Sequence, residues 1–259
     1  MGARILYLVT GLTVAFSAAV LIGCAGTGTF NLGTRAAWRG QVEQTCLGSG
    51  VVQASAYIQP MARIDGPGVC GLERPLRVSA LPGGKVWVTP AATIGCPLTV
   101  ALDHWVRTTV QPASYRYFGR PVAEIKQIAS YGCRGRNGNS FGAPSEHAFG
   151  NALDVAGFRL ASGEVITVVD GWKGNPRERA FLQTVFMGAC AEFDTVLGPG
   201  SDSFHYNHIH VDLLATNNRN GHHLCQPSLG QGVPVAEAAS EPPSTASVRP
   251  PSFAGPGAD

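Results

Sequence analysis

Charge is scarce in this chain: only 14% of its 259 residues are charged, and the formal net charge is +2. Proteins that bind nucleic acid usually carry a strongly basic face, so we expect no nucleic acid partner. Glycine (33) and proline (18) are abundant by contrast, which favours a loop-rich fold with many tight turns over a helical bundle. The length is ample for one domain with a hydrophobic core.

The C-x-x-C spacing is also absent, although the chain has seven cysteines. Its absence argues against a thiolate zinc site and against a dithiol redox motif. Setting aside Cys24, which belongs to the N-terminal pattern described next, leaves an even set. Six cysteines in an exported chain predict three disulfides. The sequence leaves all fifteen pairings open among Cys46, Cys70, Cys96, Cys133, Cys190 and Cys225.

The N-terminus has the pattern of an export signal. Arg4 precedes an apolar run over residues 5–22, which ends in LIGC at residues 21–24. This ending resembles the lipobox of bacterial lipoproteins, in which the cysteine is lipidated and becomes the mature N-terminus. The alternative is an uncleaved membrane anchor, because the run is near the minimum length that spans a bilayer. We therefore predict a location on the periplasmic side of the bacterial envelope, attached through a lipid on Cys24 or through that anchor.

Four segments follow one another along the chain. They are the signal and lipobox segment 1–24, a small polar tether 25–37, a globular domain 38–227 and a disordered tail 228–259. Hydrophobic periodicity predicts helices over 97–109 and 176–190, and strands over 85–89, 121–131, 195–197 and 208–214. Residues 152–158 and 164–169 predict a hairpin. The fold class is therefore α+β, with a small antiparallel sheet, two helices packed against one face and disulfide-linked loops.

Two polar segments carry the strongest functional signal, SEHAFGNALD at residues 145–154 and FHYNHIH at residues 204–210. Together they offer three ligands for one divalent metal: His147, Asp154 and His210. Zinc in hydrolases usually takes three such ligands and leaves a fourth position for water. We therefore expect Zn²⁺ as the cofactor and the predicted sheet as the element that carries the metal site.

Two further histidines, His205 and His208, follow the same pattern and could do acid–base work. In a strand, His208 and His210 point to the same face because they are two residues apart. Asp212 follows at the same interval. It could orient His210 by a hydrogen bond, or it could be solvated, and the sequence does not decide between the two.

These motifs resemble zinc peptidases that include D-Ala-D-Ala carboxypeptidases and dipeptidases, the penicillin-insensitive murein endopeptidase and lysostaphin-type enzymes. The histidines at 205, 208 and 210 are most similar to the murein endopeptidase branch. Residues 38–227 also resemble the bacterial extensin-like C-terminal family, in the run ASYGCRGRNG at 129–138 and in the segment 145–154 that follows it.

The resemblance implies roles for individual residues. His147, Asp154 and His210 would bind zinc, His208 would be the general base, and His205 would lie in the outer part of the site. Arg134 would bind the substrate and the developing oxyanion, with Arg136 as the competing candidate.

One position departs from the dipeptidase pattern, which has a catalytic glutamate shortly before the last histidine ligand. Residues 201–207 offer only Asp202 there, which favours a histidine base. Glu146, beside the first ligand, is expected to point away from the metal.

The expected function is that of a zinc-dependent hydrolase of peptide (amide) bonds in peptidoglycan, acting as a cross-link endopeptidase or a carboxypeptidase. The alternative is a non-catalytic module that keeps the zinc and binds peptidoglycan or a partner in the envelope. A third possibility is a disulfide-linked structural protein with an incidental metal.

Overall fold

The computed structural model describes residues 33–139, 142–214 and 223–229. The predicted signal and lipobox segment with Cys24, residues 25–32 of the tether and residues 230–259 of the tail lie outside these described residues. No helix within the described ranges is long and apolar enough to cross a bilayer.

A broad mixed sheet dominates the fold. The strands are β1 (Ile58–Pro60), β2 (Ile64–Asp65), β3 (Gly71–Leu72), β4 (Leu76–Ala80), β5 (Trp87–Ile94), β6 (Val122–Ala129), β7 (Ala152–Leu160), β8 (Val165–Thr167), β9 (Thr195–Leu197), β10 (Ile209–Asp212) and β11 (Leu224–Gln226). Strands β2 and β3 form a separate two-stranded ribbon, and the others belong to the sheet. Within the described ranges the sheet has nine strands; eight follow the order β1-β4-β5-β6-β7-β10-β9-β11, and the ninth, β8, pairs with β7. Most neighbours are antiparallel, whereas β5–β6 and β9–β11 are parallel.

Helices lie against one side of the sheet and at its periphery. They are α1 (Ala37–Gly48), α2 (Cys96–Trp105), α3 (Gln111–Phe118), α4 (Val168–Gly171) and α5 (Pro176–Glu192). A π-helical turn, Val106–Val110, joins α2 to α3, so the two form one helical segment that connects the parallel strands β5 and β6. Asn175 caps α5 with its side chain, and Pro176 occupies the first turn, where its missing N–H costs nothing.

The hydrophobic core lies between this helical layer and the sheet. Trp105 of α2 and Phe181 of α5 both pack against Phe158 of β7, with ring centroids 6.0 and 5.4 Å away. The indole N–H of Trp105 donates to the carbonyl of Val185 at 3.0 Å, which removes the cost of burying that polar group. The aromatic contacts therefore join both helices to the middle of the sheet.

Strand alternation divides each central strand into an apolar and a polar side. Leu153 and Val155 of β7, with Ile209 and Val211 of β10, belong to the core that the helices cover. The residues between them must point to the opposite face. That helix-free face carries the intervening polar side chains, Asp154, His210 and Asp212.

The α+β fold class with a mostly antiparallel sheet is confirmed, as are both predicted helices, the hairpin of β7 and β8 and the strands β5, β6, β9 and β10. The sheet is broader than the small one predicted, because short strands from residues 58 to 80 and strand β11 extend it. Helix α1 was not predicted. Its apolar residues Trp38, Val42 and Cys46 recur at four-residue spacing, but this pattern is short, and the only buried residue of the helix is the charged Glu43.

The three predicted disulfides are present, and the structure selects one pairing. Cys46–Cys96 links α1 to α2, Cys70–Cys133 links the ribbon to the loop before the first histidine motif, and Cys190–Cys225 links α5 to β11. Each one joins segments that are distant in sequence, so each restricts the unfolded chain.

Candidate metal centre

A short turn places the first motif in position. Ser145 accepts a hydrogen bond from the backbone N–H of His147 and caps a 3₁₀ turn over Glu146–Phe149. Gly150 ends the turn with φ of 61°, and a Cβ there would approach Leu72 to 2.5 Å. Only glycine fits this left-handed, crowded position. The chain can then enter β7, where Asp154 lies opposite His210 of β10.

Three potential ligand atoms converge on the helix-free face; His147, Asp154 and His210 are called the His–Asp–His triad below. His147 Nε2 lies 3.1 Å from Asp154 Oδ1 and 3.2 Å from His210 Nδ1. The third side, from His210 Nδ1 to Asp154 Oδ1, is 2.8 Å. Zinc bonds of about 2.0–2.1 Å in tetrahedral geometry require ligand atoms about 3.3 Å apart. The triad is therefore close to the spacing that such an ion needs.

The outer nitrogen of each triad histidine is held by an acceptor. His147 Nδ1 lies 2.6 Å from the carbonyl oxygen of Ser130, and His210 Nε2 lies 3.0 Å from Asp212 Oδ2. Because these oxygens only accept, the outer nitrogens carry hydrogen. In the metal-free protein the inner nitrogens of both rings form hydrogen bonds with Asp154. If a metal displaced the hydrogens between these atoms, two imidazole lone pairs and one carboxylate oxygen would face the same point, and such a set suits a shared cation.

Asp212 is hydrogen-bonded to His210. Of the two possibilities that the sequence left open, orientation of His210 and solvation, the structure has the first. Asp212 is buried, and its second oxygen Oδ1 has no hydrogen-bond partner among the described residues. An unsatisfied buried polar atom destabilises a fold by about 1–3 kcal/mol. Asp212 therefore gives the imidazole a fixed orientation at a cost in stability.

The charges of the triad are strongly coupled. Burial alone would disfavour the charged form of His210, but hydrogen bonds to Asp154 and Asp212 raise the pKa of His210 to about 9. Burial would also raise the pKa of Asp154, yet hydrogen bonds from His147 and His210 hold it well below its usual range. In the metal-free protein the protonated ring of His210 thus lies between the carboxylates of Asp154 and Asp212. A metal would have to displace the proton on the nitrogen that faces Asp154.

The two remaining histidines border the triad. His208 Nε2 lies 3.5 Å from Asp154 Oδ1, and its Nδ1 lies 2.9 Å from Asn207 Oδ1. Burial, only partly opposed by the charge of Asp154, lowers the pKa of His208 to about 4. His205 is oriented by Asp202 at 2.7 Å, and its ring centroid lies 5.1 Å from that of His208. Both side chains are buried in the wall of the site.

The two candidate arginines have different surroundings. Arg134 Nη2 donates to Asp154 Oδ2 at 3.2 Å, on the carboxylate oxygen that does not face the other two triad members. Arg136 is exposed and lines the same cleft of about 570 Å³. Arg134 therefore helps to hold a triad member, whereas Arg136 is an exposed residue of the cleft lining.

Glu146 points away from the triad, as expected, into a buried ion pair that the sequence did not reveal. Both of its oxygens accept from the guanidinium of Arg39 on α1, at 2.8 and 2.9 Å. That guanidinium also lies 3.6 Å from the ring centroid of Phe149. Asn151 donates to Glu146 at 2.8 Å and to the carbonyl of Leu213 just after β10. Helix α1 and strand β10 therefore hold both ends of the turn that carries His147.

The fold and the site define an α+β domain with a buried histidine–aspartate cluster at the base of an open cleft. A family model described as Extensin-like protein C-terminus matches residues 44–226. The chain belongs to this family, because the match covers well over half of its length. Neither a curated protein nor a solved structure matches the chain.

The ion pair between α1 and the 3₁₀ turn generates a stability prediction. We expect Arg39→Met to lower the free energy of unfolding by about 3–5 kcal/mol, because it leaves the carboxylate of Glu146 buried without a cation. The double variant Arg39→Met/Glu146→Met should recover most of that loss. Urea unfolding curves measure both effects.

A matched control is Arg107→Met, which removes an exposed ion pair with Asp103 and should cost at most about 0.5 kcal/mol. Equal losses for the two single variants, or no recovery in the double variant, would contradict the assignment of a buried ion pair.

The coupling between His210 and Asp212 generates a pH prediction for the metal-free protein. Titration followed by NMR of the imidazole protons should give His210 a pKa near 9. The raised value means that His210 binds its proton more tightly in the folded chain. Its contribution to stability should therefore be complete below about pH 6.5 and be lost as the pH rises to about 9.

Asp212→Asn removes one of the two carboxylates and should lower the pKa of His210 and flatten the stability profile over the same interval. An unchanged pKa in Asp212→Asn would show that the Asp212 carboxylate does not stabilise the imidazolium.

Proposed function

We propose that this protein is a zinc-dependent hydrolase of peptide amide bonds in peptidoglycan. The observation that carries the proposal is the triad, in which two imidazole nitrogens and one carboxylate oxygen lie 2.8–3.2 Å from one another. The outer nitrogen of each ring is held by an acceptor, so the rings keep this orientation. Zinc is the expected ion because two histidines and one carboxylate are a common ligand set of catalytic zinc. When bound, zinc would lower the pKa of water to about 7 and polarise the carbonyl of the substrate.

His208 is the proposed general base. Its lowered pKa keeps the ring neutral near pH 7, so that a nitrogen remains free to accept a proton. If Asn207 accepts from Nδ1, the free nitrogen is Nε2, which faces Asp154 at 3.5 Å. His205 is oriented by Asp202 and neighbours His208, with ring centroids 5.1 Å apart. We propose that it passes the proton from His208 to solvent in the cleft.

The arginines receive roles from their contacts. Arg134 holds Asp154 through the oxygen that the triad leaves free, and thereby fixes the carboxylate that would bind the metal. Arg136 is exposed and lines the cleft, and its planar guanidinium would suit a carboxylate or a developing oxyanion of the substrate. We therefore propose Arg136 rather than Arg134 as the substrate-binding arginine.

The substrate class rests on the resemblance of the two motifs to zinc peptidases that act on the cell wall. The predicted export signal and the lipobox at Cys24 support a site of action on the periplasmic side of the envelope. Three disulfides are consistent with an oxidising compartment. Membership of the extensin-like family is compatible with this proposal and adds no substrate of its own.

One observation favours a second candidate function, a zinc-containing module that binds peptidoglycan or an envelope partner without cleaving it. A pKa of about 4 makes His208 a weak base, because proton transfer is most efficient when the pKa is near the working pH. The same cleft would then serve for binding alone.

The proposed ligands make a direct prediction about metal content. His147→Ala, Asp154→Ala and His210→Ala should each weaken zinc binding by more than about 100-fold, which exceeds the usual effect of outer residues around a metal. His208→Ala should keep its zinc. Elemental analysis after dialysis against a weak chelator measures the difference, and a full complement of zinc in any of the three ligand variants would refute its assignment.

Incubation with isolated sacculi tests the catalytic proposal. Zinc-loaded protein should release muropeptides or reduce cross-linking, whereas chelator-treated protein and His208→Ala should not. Tight binding to sacculi without any cleavage would favour the non-catalytic candidate. Cleavage that survives both chelation and His210→Ala would exclude a mechanism that depends on the triad.

A further inference from the structure

The cleft continues beyond the triad along the helix-free face of the sheet. His210 of β10 pairs with Leu197 of β9, and Leu197 pairs in turn with Gln226 of β11. A second row, one pleat away, passes from Asp212 to Thr195 and then to Leu224. Paired residues on neighbouring strands point to the same face. These side chains also line the cleft that contains the triad.

The length of this extension follows from strand spacing. Neighbouring strands lie about 4.8 Å apart, so the floor runs about 10 Å from His210 across β9 to β11. An extended peptide advances about 3.3 Å per residue, so about three residues would cover that distance. We call the four side chains beyond β10 the neutral floor: Thr195, Leu197, Leu224 and Gln226.

The neutral floor differs in chemistry from the opposite end of the cleft. Its four side chains are uncharged. Two carboxylates, Asp202 and Asp212, also line the cleft and are hydrogen-bonded to His205 and His210. The other end of the cleft presents Arg134 and Arg136. Leu224 is 45% exposed, and Phe204, which lines the same cleft, is 56% exposed. Gln226 is also exposed and can both donate to and accept from a peptide group. Apolar surface with one amide side chain suits an uncharged peptide better than a charged one or a sugar phosphate.

We propose that the neutral floor binds an uncharged, extended peptide segment of about three residues, adjacent to the bond that lies on the triad. This inference rests on the proposed function for the identity of the substrate as a peptide. The segment crosses β9 and β11, and any anionic group of the substrate lies at the arginine end. The cleft is therefore directional, and substrates with an acidic residue on the floor side are disfavoured.

NMR titration of the full-length ¹⁵N-labelled protein with acetyl-tetra-alanine amide tests the proposal, in the zinc-free and in the zinc-loaded state. We expect shifts of the backbone amides of β9 and β11. Leu197→Glu should weaken the binding of this peptide at least about tenfold, because a carboxylate would be desolvated against an uncharged ligand. Val169→Glu makes the same change in charge at an exposed position of α4 outside the cleft, and should leave the affinity unchanged.

Shifts confined to the loop 134–138, or no shifts at all, would overturn the proposal. Gln226→Glu repeats the test at an exposed, nearly isosteric position in case Leu197→Glu does not fold. Peptide binding to the floor without cleavage of sacculi would support the floor and count against the hydrolase. Cleavage of sacculi without floor shifts would leave the hydrolase standing and refute the floor.

Discussion

The alternation of side chains along β7 and β10 is the constraint on which both the core and the site depend. Leu153 and Val155 pack under the helices while Asp154, between them, lies on the other face, and Ile209, His210 and Val211 repeat the pattern on β10. A shift of one residue in either strand would bury the carboxylate or the imidazole among apolar side chains and expose the core. The burial of apolar surface therefore fixes the register of β7 against β10. This register brings Asp154 and His210 together, so attraction between the polar groups is not needed to place them.

Most of the buried charge at the site is balanced by protein partners. Asp154 has histidine nitrogens around one oxygen and Arg134 on the other, and Glu146 is paired with Arg39. Asp212 is the exception, because its second oxygen has no hydrogen-bond partner in the described part of the chain. Ion pairs of this kind seldom stabilise a fold more than apolar residues of similar size would. The ion pairs of Arg134 and Arg39 are therefore better explained by the orientation that they give to the triad and its turn than by a gain in stability.

Much of this arrangement could be predicted from the sequence, because it is encoded locally. The two-residue spacing of His208, His210 and Asp212 predicts a shared face, and hydrophobic periodicity predicts the long helices. The partners of the site could not be predicted in this way. Arg39 and Glu146 are in contact although they are 107 positions apart in sequence. The acceptor that holds His147 is the backbone carbonyl of Ser130, and every residue has such a carbonyl, so the residue type does not indicate the contact. Disulfide pairing was likewise fixed only by the positions of α1, α5 and β11 in space.

Helix α1 bears on where this domain physically begins. The family match starts at residue 44, within α1, whereas Arg39 lies in the first turn of that helix and reaches across to the turn that carries His147. A boundary drawn from sequence similarity would therefore divide a helix and separate a buried carboxylate from its cation. The structural unit therefore starts upstream of the matched residues, and the first turns of α1 belong to the architecture of the site.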